Sequence, residues 1–138
     1  MANSTWQIRC YCSPSGRNPV QTHYDNASDA LQAALEVELD YLRCRPREHW
    51  RRPRAAKLNK CTADRDLFEI RFQAERVQQR PIGCFGPAPQ CFTLLLWAIE
   101  KGGALQPRDW CQRAARRRQA LLDGQARALA LQFDHTPT

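Results

Sequence analysis

A chain of 138 residues has room for one domain and little more. Hydrophobic residues make up 43% and charged residues 25%, a balance that excludes collagen-like, coiled-coil and wholly disordered chains. Lys and Arg total 21 against 14 Asp and Glu, a net charge of +7, and 18 of those 21 cations are arginine. Arginine keeps its charge and presents a planar fork suited to phosphate, so the bias points to a phosphate-rich or acidic partner, with a plain basic surface as the alternative.

The longest apolar stretch, Phe92 to Ile99, falls well short of the ~20 residues of a spanning helix. No membrane partner is therefore expected. Met1 to Thr5 has neither a basic start nor an apolar run, so no secretory signal is read there. Cysteines stand at Cys10, Cys12, Cys44, Cys61, Cys84, Cys91 and Cys111, an odd number without any CxxC pair. The expectation is reduced thiols packed as small hydrophobes in a cytoplasmic chain. With His23, His49 and His135 scattered, no zinc-site spacing is present, and no metal or cofactor is expected.

In chain order, Trp6, Ile8, Cys10 and Cys12 alternate with Gln7, Arg9 and Tyr11, the period of a half-buried strand. Pro14, Gly16 and Pro19 punctuate a loop. From Asn26 or Ser28, either a suitable N-cap, Leu31, Leu35, Leu39 and Leu42 form the stripe of an amphipathic helix that Pro46 closes. A short helical piece is read over Arg47–Arg52. The dense run Arg43, Arg45, Arg47, Arg51, Arg52, Arg54, Lys57, Lys60 reads as a connector, either a solvated linker or a phosphate-facing arm.

Three strands follow. Leu67–Phe72 puts Phe68, Ile70 and Phe72 on one face and Glu69 and Arg71 on the other. Val77–Phe85 contains Pro81, which has no N–H for a ladder and so predicts an edge position or a bulge. After a turn at Gly86–Pro89, Phe92–Ile99 is apolar enough for a central strand covered on both faces, and Gly102-Gly103 ends it. Pro107 suits the first turn of a last helix, with Trp110, Ala114 and Leu121 on one side and Arg113, Arg116, Arg117 and Arg118 as a basic patch. Gly124 weakens that helix before an Ala/Leu-rich stretch to Phe133. The expected organisation is an N-terminal strand and loop extension over 1–25, a main domain over 26–133 and a flexible tail over 134–138.

No nucleotide-binding loop or zinc-protease motif is present; Gly83-Cys84-Phe85-Gly86-Pro87 lacks the Gly-Lys-Ser/Thr ending. One constellation stands out. If strands 67–72 and 77–85 pair, Glu69, Arg71 and Arg80 share a face. A carboxylate among arginines can accept a proton while the guanidinium groups stabilise a phosphorane-like transition state, the needs of metal-free RNA cleavage. The same residues also suit ordinary cross-strand ion pairs.

From Trp50 to Leu122 the sequence resembles the RelE/ParE toxin superfamily, in its HigB-like and phage-derived toxin-like branch. The matching pieces are Leu67–Phe72, Gln79-Arg80-Pro81-Ile82-Gly83, Phe92 to Gly102, then Pro107, Ala114 and Arg118. The resemblance implies an α+β fold with a small, mainly antiparallel sheet of about four strands flanked by helices. It implies a toxin of a toxin–antitoxin system, a metal-free, ribosome-dependent mRNA endonuclease. Its partners would be mRNA, the ribosome and an acidic antitoxin, often with a helix-turn-helix domain. By position, Arg71 and Arg80 would hold phosphate and Glu69 would accept the proton. Arg51, Arg52, Arg54, Lys57, Lys60 and Lys101 would supply charge along the RNA, and Trp97 a stacking surface. Where active members commonly carry a Tyr or His, this chain has Trp97, which stacks but transfers no proton. That departure keeps two further readings open: a non-catalytic phage or mobile-element inhibitor or regulator that binds nucleic acid or a host nucleoprotein complex, and a gyrase-poisoning toxin of the ParE type.

Overall fold

The computed structural model describes residues 5–133; the expected tail over 134–138 lies outside the described residues. In chain order the elements are β1 (Gln7–Cys12), α1 (Pro19–Asp25), α2 (Asp29–Arg43), a 3-10 turn (Arg47–His49), β2 (Ala55–Lys57), β3 (Phe68–Ile70) and β4 (Phe72–Ala74). There follow β5 (Val77–Phe85), β6 (Cys91–Lys101), β7 (Ala104–Gln106), α3 (Trp110–Leu122) and β8 (Arg127–Ala130). All the strands join one 8-stranded sheet in the order β2-β3-β5-β6-β1-β8, with β4 also on β5 and β7 also on β6. β1 runs parallel to β6 and antiparallel to β8. The class is α+β, but the small, mainly antiparallel sheet of about four strands is corrected to this larger mixed sheet. The added strands β2, β4, β7 and β8 are three or four residues long, too short to show a period of two.

Helices cover both faces. On one, Leu35, Leu39 and Leu42 of α2 and Val20 and Tyr24 of α1 pack on Ile8, Cys10, Phe92 and Leu94. Each fully buried leucine contributes roughly 1.5–3 kcal/mol. On the other face, Ala114 and Leu121 of α3 pack on Ile82, Cys84, Leu95, Leu96 and Ala98. Neighbours Leu95 and Leu96 point the same way because Ile82 pairs with Leu96 while Gly83 pairs with Leu94, leaving Leu95 as the extra residue of a bulge. Glycine is required at this slip: a Cβ on Gly83 would lie 2.5 Å from the Thr93 carbonyl oxygen and 2.6 Å from the Phe92 ring.

Local chemistry sets the helix starts. The Ser28 side chain accepts from the Leu31 N–H at 3.2 Å and opens α2. Asn18 accepts from the Gln21 N–H at 3.1 Å, and Pro19 occupies the first turn of α1, where its missing N–H costs nothing. Pro19 therefore starts a helix instead of marking a loop. The expected helical piece over Arg47–Arg52 shrinks to the 3-10 turn, and the basic connector contains the edge strand β2.

Pro81 is not at an edge, since β5 lies between β3 and β6. β3 pairs with Ile82 and Gly83, β4 with Val77, Gln78 and Gln79, so Arg80 and Pro81 carry no ladder partner on that side. The ladder breaks where the donor is missing. The expectation of wholly reduced thiols is also corrected: Cys61, in the β2–β3 loop, forms a disulfide with Cys111 of α3. Cys10, Cys12, Cys44, Cys84 and Cys91 are free. No helix among the described residues is long and apolar enough to cross a membrane.

Candidate nucleic-acid interface

The break in the ladder sets the site. Glu69 and Arg71 alternate out of the apolar row Phe68, Ile70, Phe72 and so face the α3 side. Beside them a groove of about 440 Å³ opens between the β2–β3 loop, the β6–β7 hairpin and the start of α3. It is lined by Arg52, Lys57, Asn59, Lys60, Glu69, Arg71 and Glu100, with Leu58, Leu105 and Trp110 as apolar wall. The Glu69 carboxylate is buried on the groove floor and accepts from Arg71 Nη1 at 2.5 Å. The backbone N–H of Arg71 donates to the Arg54 carbonyl at 2.8 Å, which ties the floor to the start of β2.

Arg80 lies beneath this pair and is only 4% exposed. Its guanidinium donates to the Gln79 carbonyl at 2.8 Å and to Gln78 Oε1 at 3.2 Å, and pairs with Glu100 at 3.4 Å. Its Nε is buried without a partner. Burial, then the neighbouring charge of Arg71, lowers its pKa from the ordinary arginine value, with Glu69 and Glu100 opposing. Arg71, Arg80, Glu69 and Glu100 are thus one electrostatic cluster. Arg80 reaches it from inside the protein, so a ligand in the groove meets Arg71, not Arg80.

Among the other sequence-derived candidates, Arg52, Lys57 and Lys60 are exposed on the groove walls. Arg51 borders an adjoining pocket of about 690 Å³ together with Arg47, Arg52, Lys57 and one carboxylate, that of Glu48. Arg54 is turned the other way, bonded to Glu38 at 2.7 Å and lying over the Tyr41 ring of α2. Trp97 points to the opposite face of the sheet, where it is 9% exposed, stacks on His23 and donates to Gln79 Oε1 at 2.8 Å. It offers no stacking surface in the groove. Lys101 alternates away from Glu100 on β6 and does not line the groove.

Sequence reading missed Glu100, Asn59 and Trp110 as site residues, and named Arg47 only within the basic connector. Glu100 was visible as a charge ending an apolar strand, but only its register opposite Gln78 brings it to Arg80. The cations of Arg54, Arg71, Arg80, Arg113 and Arg118 are engaged by carboxylates. Those of Arg47, Arg51, Arg52, Lys57 and Lys60 make no salt bridge among the described residues. Cations elsewhere on the molecule, such as Arg17, Arg76, Arg108 and Arg116, also make no salt bridge among the described residues; what distinguishes the former five is that they border two adjoining depressions around a partly neutralised floor. Compared with known protein families, curated proteins and solved structures, the chain matches none.

Proposed function

We propose that this groove holds the sugar-phosphate backbone of RNA, and that the protein acts by binding, as an inhibitor or regulator of an RNA or a host nucleoprotein complex. The observation that carries the reading is the set of exposed, unpaired cations Arg52, Lys57 and Lys60 converging on one concave surface. Such side chains gain affinity by displacing counterions from phosphate. The test is binding of labelled single-stranded RNA across a salt series by wild type and by the double variant R52E/K57E. Wild type is expected to weaken steeply with salt, and the variant to lose most of the affinity. Equal binding by the two proteins refutes the reading.

The Glu69–Arg71 pair on the groove floor favours a second reading, the RelE/HigB-like mRNA endonuclease implied by the resemblance. Glu69 would take the proton of a 2′-hydroxyl and the 2′-oxygen would attack phosphorus. The 5′-oxygen would then leave with a proton supplied by water, giving a 2′,3′-cyclic phosphate and a 5′-hydroxyl. Arg71 would face the developing charge, and Arg80 would position Glu100 and the Glu69–Arg71 pair from below. Two observations set this reading second: Glu69 and Arg71 already satisfy each other, and among the described residues no Tyr or His lines the groove. RNA and ribosomes incubated with wild type and Glu69→Gln decide it; cleavage abolished by the substitution would promote the enzyme reading, with an antitoxin as the further partner.

A further inference from the structure

The groove continues around the edge of the sheet. Its neighbour, the 690 Å³ pocket, is bordered by Trp50 and Phe68, members of the core under α1 and α2. The groove itself is bordered by Leu58 and Trp110, which belong to the core under α3. The two depressions therefore lie on opposite faces of the sheet. Arg52, Lys57 and Asn59 line both, and they flank or end β2, the outermost strand. Arg47 extends the basic track on the far side. Its guanidinium lies 4.6 Å from the Phe85 ring centroid and 5.5 Å from that of Phe68, which fixes the cation without neutralising it.

We infer that the ligand is a single strand of RNA that bends over the β2 edge, from the pocket of Arg47 and Arg51 to the groove of Lys60 and Arg71. This rests on the RNA-binding reading above and names the form of its ligand. The physical ground is stiffness. Stacked sheets lie about 10 Å apart, so the edge of one sheet is no thicker than that, whereas duplex DNA keeps its direction over about 150 bp. A duplex cannot turn around that edge. A single strand rotates about every backbone bond and can place successive phosphates on Arg47, Arg51, Arg52, Lys57 and Lys60 in turn.

The experiment measures fluorescence anisotropy with oligouridines of ~4 and ~12 nucleotides, lengths that bracket common single-strand site sizes, and with an RNA duplex as long as the longer one. Wild type is compared with R47A/R51A, whose targets are both exposed. The longer single strand should bind more tightly than the short one, and the duplex more weakly than either. In R47A/R51A the advantage of the longer strand should vanish, and the salt slope for that strand should fall by about 1.4, two phosphate contacts at ~0.7 each. A duplex that binds as tightly as the single strand overturns the inference, as does a length advantage that survives R47A/R51A. Either result leaves the groove reading standing if R52E/K57E still abolishes binding; no binding of any strand overturns both.

Discussion

Arg80→Gln separates a buried positioning arginine from a phosphate-contacting one. In the structure Arg80 is 4% exposed, donates to the Gln79 carbonyl and Gln78 Oε1, and pairs with Glu100, whose side chain is 36% exposed. Breaking a fully buried ion pair costs about 3–5 kcal/mol because the surviving charge is stranded. Glu100 can turn to water, which places the expected cost near the lower end, about 3 kcal/mol. Unfolding entropy of about 2.1 cal/mol/K per residue converts this, over a chain of 138 residues, to a loss of about 10 °C in Tm. The measurements are calorimetric Tm and the salt slope of RNA binding at a temperature where both proteins are folded. The expected result is the drop in Tm with an unchanged slope, since no ligand phosphate touches Arg80. An unchanged Tm with a slope shallower by about 0.7, one phosphate contact, refutes the reasoning.

Gly83→Ala should destabilise the fold by about 1–3 kcal/mol, as overpacking does, because its Cβ would meet the Thr93 carbonyl oxygen at 2.5 Å; an unchanged urea midpoint would show that the bulge relaxes. Removing the Cys61–Cys111 bridge, which spans a separation of 50 residues, should cost about 4 kcal/mol if chain entropy dominates. Urea unfolding of C61S/C111S against wild type measures it, and a cost near zero would mean that the Arg118–Asp64 pair at 3.0 Å already fixes the loop. His23 has its pKa lowered from 6.5 by burial, so the fold prefers the neutral ring. Its contribution is complete above the unfolded value and declines as pH falls below about 6.5. A Tm–pH curve should fall below that point in wild type and be flatter in His23→Gln.

What the sequence makes legible depends on segment length. The leucine stripe of α2 spans about three turns and the apolar run of β6 spans both faces, so pattern alone places them. β1 shows its alternation in six residues. β7 and β8 exist because β6 and β1 offer edges to pair with, which is information outside their own three or four residues. Trp97 was named as a site residue by its position in the resemblance, and no strand pattern announced which face it would take. The bulge at Leu95 shifts the phase of β6 and turns Trp97 to the face of His23. The Cys61–Cys111 contact joins a loop to a helix distant in sequence, and no local pattern announces it.

The candidate site was legible through one residue. Pro81 withdraws a backbone donor in the middle of β5, and opposite that position the neighbouring strand divides into β3 and β4. Arg71 falls in the interval between them, and Arg80 precedes the proline. Beside the interruption the Arg80 guanidinium turns back onto the strand and donates to the Gln79 carbonyl at 2.8 Å. A buried guanidinium in turn requires carboxylates nearby, and Glu100 and Glu69 supply them. The floor of the groove is thus self-neutralising for structural reasons, and net attraction for an anion is left to the rim, where Arg52, Lys57 and Lys60 have no such partners. Binding and stability are therefore carried by different cations. Substitution at the rim should change salt dependence at nearly constant Tm, and substitution at the floor the reverse.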